Sequence, residues 1–86
     1  MDEIEQYRKQ VDEIDEQILT ALCQRAKICK TIGAAKKKKG LPVRDVSRED
    51  EVYKRVKKWA IDFHLNPLQV EAVYREIVNM CSAVQQ

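Results

Sequence analysis

The sequence predicts an all-α protein, with three helices per protomer and one of them very long, assembled as an intertwined homodimeric helical bundle. Three observations carry that prediction. Apolar residues recur at three-and-four spacing from Ile4 to Ala35. Only two Gly and two Pro interrupt 86 residues, and 35% charged residues alternate with 44% hydrophobic ones, as in a chain of long amphipathic helices. Finally, a first helix of about 35 residues is a rod of about 53 Å, whereas a compact chain of this length has a radius of gyration near ~12 Å. The rod overhangs any monomeric globule, and a second copy is the simplest cover for its stripe. A single domain, 1–86, is expected, with a core small enough to gain from sharing.

The first helix is predicted from Ile4 to about Lys39. Its stripe reads Ile4, Tyr7, Val11, Ile14, Ile18, Ala21, Ile28, Ile32 and Ala35. Between Ala21 and Ile28 the pattern calls for an apolar side chain and the chain supplies Arg25, a permanent cation that is costly to bury without an anion. Lys36 follows eleven residues on (36 − 25 = 11). At about 100° per residue it returns to within roughly 20° of Arg25 and about 16 Å along the axis, so two cations face inward on one stripe. Acidic residues at the start (Asp2, Glu3, Glu5) and Lys37, Lys38 and Lys39 at the end suit the helix macrodipole and solvent. Gly33 costs about 1 kcal/mol relative to Ala within a helix. Either close approach of another backbone or ligand accounts for it, or it is a tolerated defect.

Gly40 stops the helix and Pro42 confirms the break, leaving a connector with Arg44 and Asp45. Ser47, with Asp50 three residues on, predicts the cap of the second helix. Its apolar face reads Val52, Val56, Trp59, Ala60 and Phe63, with Glu49 one turn ahead of Val52. Asn66, Pro67 and Gln69 predict the start of a third helix, as N-cap, N1 proline and N3 amide. That helix has a stripe of Leu68 or Val70, Val73, Ile77, Met80 or Cys81, and Val84, with Gln85 on its flank. Trp59, Phe63 and Tyr74 read as core by their spacing, and His64 as a helix-end residue.

Composition excludes several classes. A net charge of +2 with acidic and basic residues interleaved on every helix argues against nucleic acid. No segment is apolar enough to span a membrane, and Asp2 and Glu3 do not open a secretory signal, so a cytoplasmic location is expected. The three cysteines, Cys23, Cys29 and Cys81, show no ligand spacing and read as reduced packing thiols. No catalytic triad, metal cluster or phosphate loop is present, so neither a cofactor nor a metal is expected. The residues out of pattern are Arg8, Arg25, Lys36, Asp45, Arg48, Glu49 and Gln85. This largely cationic set suits a small dicarboxylate and a reaction driven by stabilising developing charge. Arg8 and Arg25 are seventeen residues apart (25 − 8 = 17), about 25 Å on a straight helix. If both grip one small molecule, they come from different chains.

Arg8, VDEIDEQIL (residues 11 to 19), QRAKI with Arg25, GAAK ending at Lys36 and PVRDVSRE (residues 42 to 49) resemble the all-helical chorismate mutases, and the resemblance runs from Arg8 to Gln85. It implies an interlocked dimer converting chorismate to prephenate by a cofactor-free [3,3] rearrangement. By position, Arg25 and the partner protomer's Arg8 would bind the carboxylates, assisted by Arg48. Lys36 and Gln85 would donate to the ether oxygen, Glu49 would accept from the ring hydroxyl, and Asp45 would help hold the loop and that hydroxyl. Cys81 stands where the family usually has Ser or Asn, and a thiol donates weakly. Two other readings compete. Isochorismate pyruvate lyases resemble the same fold, but the Arg44, Asp45 and Arg48 pattern favours a mutase. A noncatalytic helical dimerisation module leaves Arg25 in the stripe unexplained.

Overall fold

A computed structural model describes residues 2–86. The described residues form three helices, α1 (Glu3–Lys39), α2 (Val46–Asp62) and α3 (Pro67–Gln85), and no strand. The Asp2 side chain caps α1 by accepting from the Ile4 amide, and Gly40 ends it at φ 67°, its N–H reaching back to the carbonyls of Lys36 and Lys37. Such a left-handed cap is the one conformation here that glycine adopts without a β-carbon penalty. Asn66 caps α3 as predicted, its Oδ1 accepting from Leu68 N at 2.9 Å and Gln69 N at 3.2 Å, with Pro67 at the first position. His64 sits at φ 59° just past α2.

The cap of α2 is a correction. Asp45, not Ser47, closes it, accepting from the Arg48 amide at 3.1 Å. Ser47 therefore lies inside the first turn. Both residues are good caps two positions apart, and the path of the connector selects between them.

α3 is the middle of the fold. It packs on both α1 and α2, which do not pack on each other. Along α1, Cys29 and then Gly33 and Lys36 meet Cys81 and then Gln85, so α1 and α3 run parallel. Lys57 pairs with Glu71 while Arg44 reaches Asn79, so α2 runs antiparallel to α3. The buried core is Val52, Tyr53, Val56 and Val78, with Val70 and Tyr74 packed against it.

Two predicted faces therefore shift. Val52, Val56 and Ala60 are buried as expected, but Trp59 and Phe63 are exposed in the protomer, and Tyr53 takes the place assigned to them. The Trp59 ring instead lies under the Arg55 guanidinium, 5.3 Å from it. On α3, Val78 and Ser82 are buried; of the predicted stripe, Val70, Ile77 and Cys81 are half-buried, while Leu68, Val73, Met80 and Val84 are exposed. α3 carries a broad apolar side, covered by α2 through Val70, Tyr74 and Val78 and by α1 through Ile77, Cys81 and Gln85, and leaves Leu68, Val73 and Val84 bare.

The chain measures 57 × 24 × 15 Å with a radius of gyration of 16.2 Å, well above the ~12 Å of a compact chain this long. Every residue from Asp2 to Ala21 is exposed. None of the described helices is long and apolar enough to cross a membrane.

Candidate active site

α1, the connector, α2 and α3 enclose a cleft of about 440 Å³, within the usual range for small-molecule sites. Its polar wall is Arg25 and Lys36 from α1, Asp45 from the connector, Arg48 and Glu49 from α2, and Gln85 from α3. Its apolar wall includes Ile28, Ile32, Val43, Val52 and Val78. Cys81 and Ser82 complete the α3 side. Of the eight candidate site residues, only Arg8 lies elsewhere. It sits on the free half of α1, exposed and paired with Glu5 at 2.8 Å.

The helical repeat brings Arg25 and Lys36 to the same cleft, both half-buried. Among the described residues neither has a carboxylate partner. Arg25 Nη1 donates only to Cys29 Sγ at 3.7 Å, a weak acceptor. Lys36 Nζ donates to the Val43 carbonyl at 2.6 Å and to Gln85 Oε1 at 2.8 Å. Lysine has no acceptor, so the Gln85 amide must turn its oxygen to Lys36, which sends Nε2 to Cys81 Sγ at 3.1 Å. The ammonium thus ties α1 to the connector and to the last turn of α3.

Glu49 is held by Arg44 at 2.9 Å, and the other arm of Arg44 donates to Asn79 Oδ1 at 2.9 Å. Arg44 was read only as part of the connector pattern, yet it joins connector, α2 and α3 and orients the one carboxylate of α2 that lines the cleft. Its position directly before Asp45 was the available signal. Arg48 lines the cleft from the first turn of α2 while its Nη1 meets Glu51 at 3.3 Å. Ser82 was missed because a buried face through Val78 was not assigned to α3.

The cysteines correct the sequence reading. Cys29 and Cys81 are joined by a disulfide across α1 and α3, with Cα atoms 5.4 Å apart, and Cys23 alone is free and exposed. Cys81 therefore has no S–H. At the position where a weak donor to the ligand was expected, the chain has a sulfur that accepts from Gln85 and forms part of the wall. A pairing across 52 residues leaves no local spacing to read.

Among the described residues, the only carboxyl clearly shifted lies outside the cleft. The Glu71 carboxyl is held below its usual range, first by its hydrogen bond from Arg75 and then by Lys57. Arg75 also stacks on the Tyr53 ring at 4.4 Å, so this network belongs to the α2–α3 packing.

Fold and cleft together define an all-helical protein with a small cationic site assembled from every helix. Residues 7–86 match the family described as chorismate mutase type II, and the chain belongs to that family. It is 35% identical to a bifunctional chorismate mutase/prephenate dehydratase of Aquifex aeolicus across all of this chain and 25% of that protein. It is 33% identical to a chorismate mutase of Methanocaldococcus jannaschii over 67% of this chain and 59% of that one. The chain thus spans less than two thirds of the length of either relative. A solved conserved hypothetical protein of Pyrococcus furiosus superposes with a TM-score of 0.75 at 31% identity, covering 96% of this chain and 95% of its own.

Proposed function

We propose that this protein converts chorismate to prephenate, acting as a homodimer in which each cleft is completed by Arg8 of the other copy. The observation that carries the reading is the pair of inward cations, Arg25 and Lys36, without a carboxylate partner in a cleft of small-molecule size. Half-burying two cations is unfavourable unless an anion meets them, and a dicarboxylate of this family's kind does so.

The rearrangement breaks the ether C–O bond as a new C–C bond forms, within one molecule and without net proton transfer. What a protein contributes is a fixed ligand conformation and a positive field where charge grows. Arg25 and the partner's Arg8 hold the carboxylates, with Arg48 at the cleft edge. Lys36 Nζ faces the breaking ether bond, and Gln85 supplies a second donor once its amide leaves Cys81. Glu49, steadied by Arg44, accepts from the ring hydroxyl. Asp45 contributes chiefly by capping α2, which sets Arg48 and Glu49 in the first turn.

The dimer is supported by the exposed stripe Ile4, Tyr7, Val11, Ile14 and Ile18, each at least half exposed, and by the distance of Arg8 from the cleft of its own chain. The test is direct. Purified protein mixed with chorismate is followed by loss of chorismate absorbance and appearance of prephenate, with isochorismate and pyruvate release assayed in parallel. Turnover of chorismate alone is the expected result. Pyruvate from isochorismate would assign the lyase reaction, and no turnover of either would leave a helical dimerisation module.

A further inference from the structure

Gly33 is buried in the C-terminal part of α1, and its backbone is ordinary helix, so nothing in its conformation calls for glycine. What it faces does. A β-carbon built on Gly33 lies 2.7 Å from Gln85 Cα and 2.9 Å from both Gln85 Cβ and the Gln85 carbonyl oxygen. Non-bonded carbons rest near ~3.5–4.0 Å. Two of the three atoms are backbone, so no change of rotamer relieves the clash, and the last turn of α3 would have to move by about 1 Å. Lys36 stands three residues further along the same face of α1, and its Nζ meets Gln85 Oε1 at 2.8 Å. One turn below, the Cys29–Cys81 bond already fixes the separation of the two helices. The helices are therefore tied at one level and brought into backbone contact at the next, where the two proposed donors to the ether oxygen meet.

We infer that Gly33 is a positioning residue for catalysis, which acts by letting α3 approach until Gln85 seats beside Lys36. The inference rests on the proposed mutase activity and on Gln85 as a donor. A displacement of about 1 Å at such a group lowers turnover by about a hundredfold.

The experiment compares Gly33→Ala, Gln85→Ala and the double variant in the full-length protein, reading kcat, KM and Tm, together with a crystal structure of Gly33→Ala. Alanine gains about 1 kcal/mol in helix propensity, which offsets only part of the roughly 1–3 kcal/mol that overpacking typically costs, so Gly33→Ala is expected to fold with a modestly lowered Tm. Its kcat should fall about a hundredfold with KM altered much less, a split that a purely structural defect does not give. Because the effect passes through Gln85, Gly33→Ala should add almost nothing in the Gln85→Ala background. Losses that multiply in the double variant, or a Gly33→Ala enzyme with wild-type kcat, would overturn the inference. Full activity in Gln85→Ala would remove Gln85 from the mechanism, and the inference with it. If the wild type turns over no chorismate, the proposed function fails on its own, and the crystal structure decides the placement. An unmoved last turn with the Lys36–Gln85 contact intact overturns it, and a turn displaced by about 1 Å sustains it. Should Gly33→Ala fail to fold, the same variant shortened to end at Ala83 removes all three of the Gln85 atoms that the β-carbon meets. Recovery of the fold in that variant supports the close approach, and continued failure overturns it.

Discussion

The two halves of α1 carry one continuous amphipathic pattern and have opposite surroundings. From Asp2 to Ala21 every residue is exposed, apolar or not. From Leu22 to Lys36 the face through Arg25, Ala26, Cys29 and Gly33 is covered by α3, and Ile28 and Ile32 flank it along the cleft. Periodicity thus reports that a helix has a face and says nothing of what covers it. The difference also separates two arginines of one helix, Arg25 in the cleft and Arg8 on the uncovered half. Under the proposed dimer the halves are equivalent in purpose, one packing within the chain and the other across chains.

The sharpest way to break that equivalence is to remove one arginine from each half. Arg25→Ala and Arg8→Ala should each lose activity heavily as homodimers. Truncating one partner of a desolvated charge pair costs up to about 5 kcal/mol, more than ~10³ in kcat/KM. Co-expression of the two variants makes about half the dimers mixed, each with one complete cleft of two, so roughly a quarter of wild-type activity should return. If mass spectrometry finds the heterodimer and activity stays absent, Arg8 does not serve the other chain's cleft.

Next in size is a comparison inside the covered half. Lys36 Nζ is turned into the cleft, whereas Lys37 is exposed. Lys36→Ala should lower kcat by about 10²–10³, more than it raises KM, as for the loss of one donor to developing charge. Lys37→Ala should be nearly silent. Equal effects in steady-state kinetics would mean that the basic run acts as a whole and that no single lysine is placed.

The covalent tie of the covered half gives a smaller effect. Cys29→Ser removes a bond closing a loop across 52 residues and should reduce unfolding stability by roughly 2–4 kcal/mol, mainly by freeing the unfolded chain. Denaturant unfolding at fixed protein concentration measures it, because dimerisation makes stability depend on concentration. Cys23→Ser, on the exposed side of α1, should leave the midpoint where it is. A midpoint unchanged in Cys29→Ser and under reductant would show that the two helices hold together without the bond.

The smallest effect lies in the α2–α3 contact and serves as a baseline for these comparisons. Hydrogen bonds from Arg75 and Lys57 depress the Glu71 carboxyl below its usual 4.5. A group with a lowered folded pKa contributes stability above its unfolded value and loses it as pH falls through the folded one. The Tm of wild type should therefore exceed that of Glu71→Gln near neutrality. The two curves should converge only well below pH 4.5. Curves that stay parallel into acid would assign the difference to packing and leave charge no part in it.

Much of this was legible in the residues because its causes are local. Gly40 ends a helix and Asn66 with Pro67 begins one through bonds made within a few residues. Arg25 and Lys36 share a face because the helical repeat is geometry. The choice of Asp45 over Ser47, the burial of Tyr53 in place of Trp59, and the selection of Val78 and Ser82 on α3 were not legible. Each is a choice between adjacent, locally equivalent options, settled by which surface arrives opposite.

By itself, then, the sequence determined three helices, their ends, a long first rod and a set of charged residues out of pattern. Only the tertiary structure decided that Cys29 and Cys81 are bonded, that Arg44 holds Glu49, and that Gly33 admits the backbone of Gln85. The physical reason is range. Dihedral preferences, caps and periodicity act within a turn or two of the chain. A disulfide, an ion pair between connector and helix or a backbone contact depends on the relative placement of whole elements, and that placement is set by packing all of their faces at once.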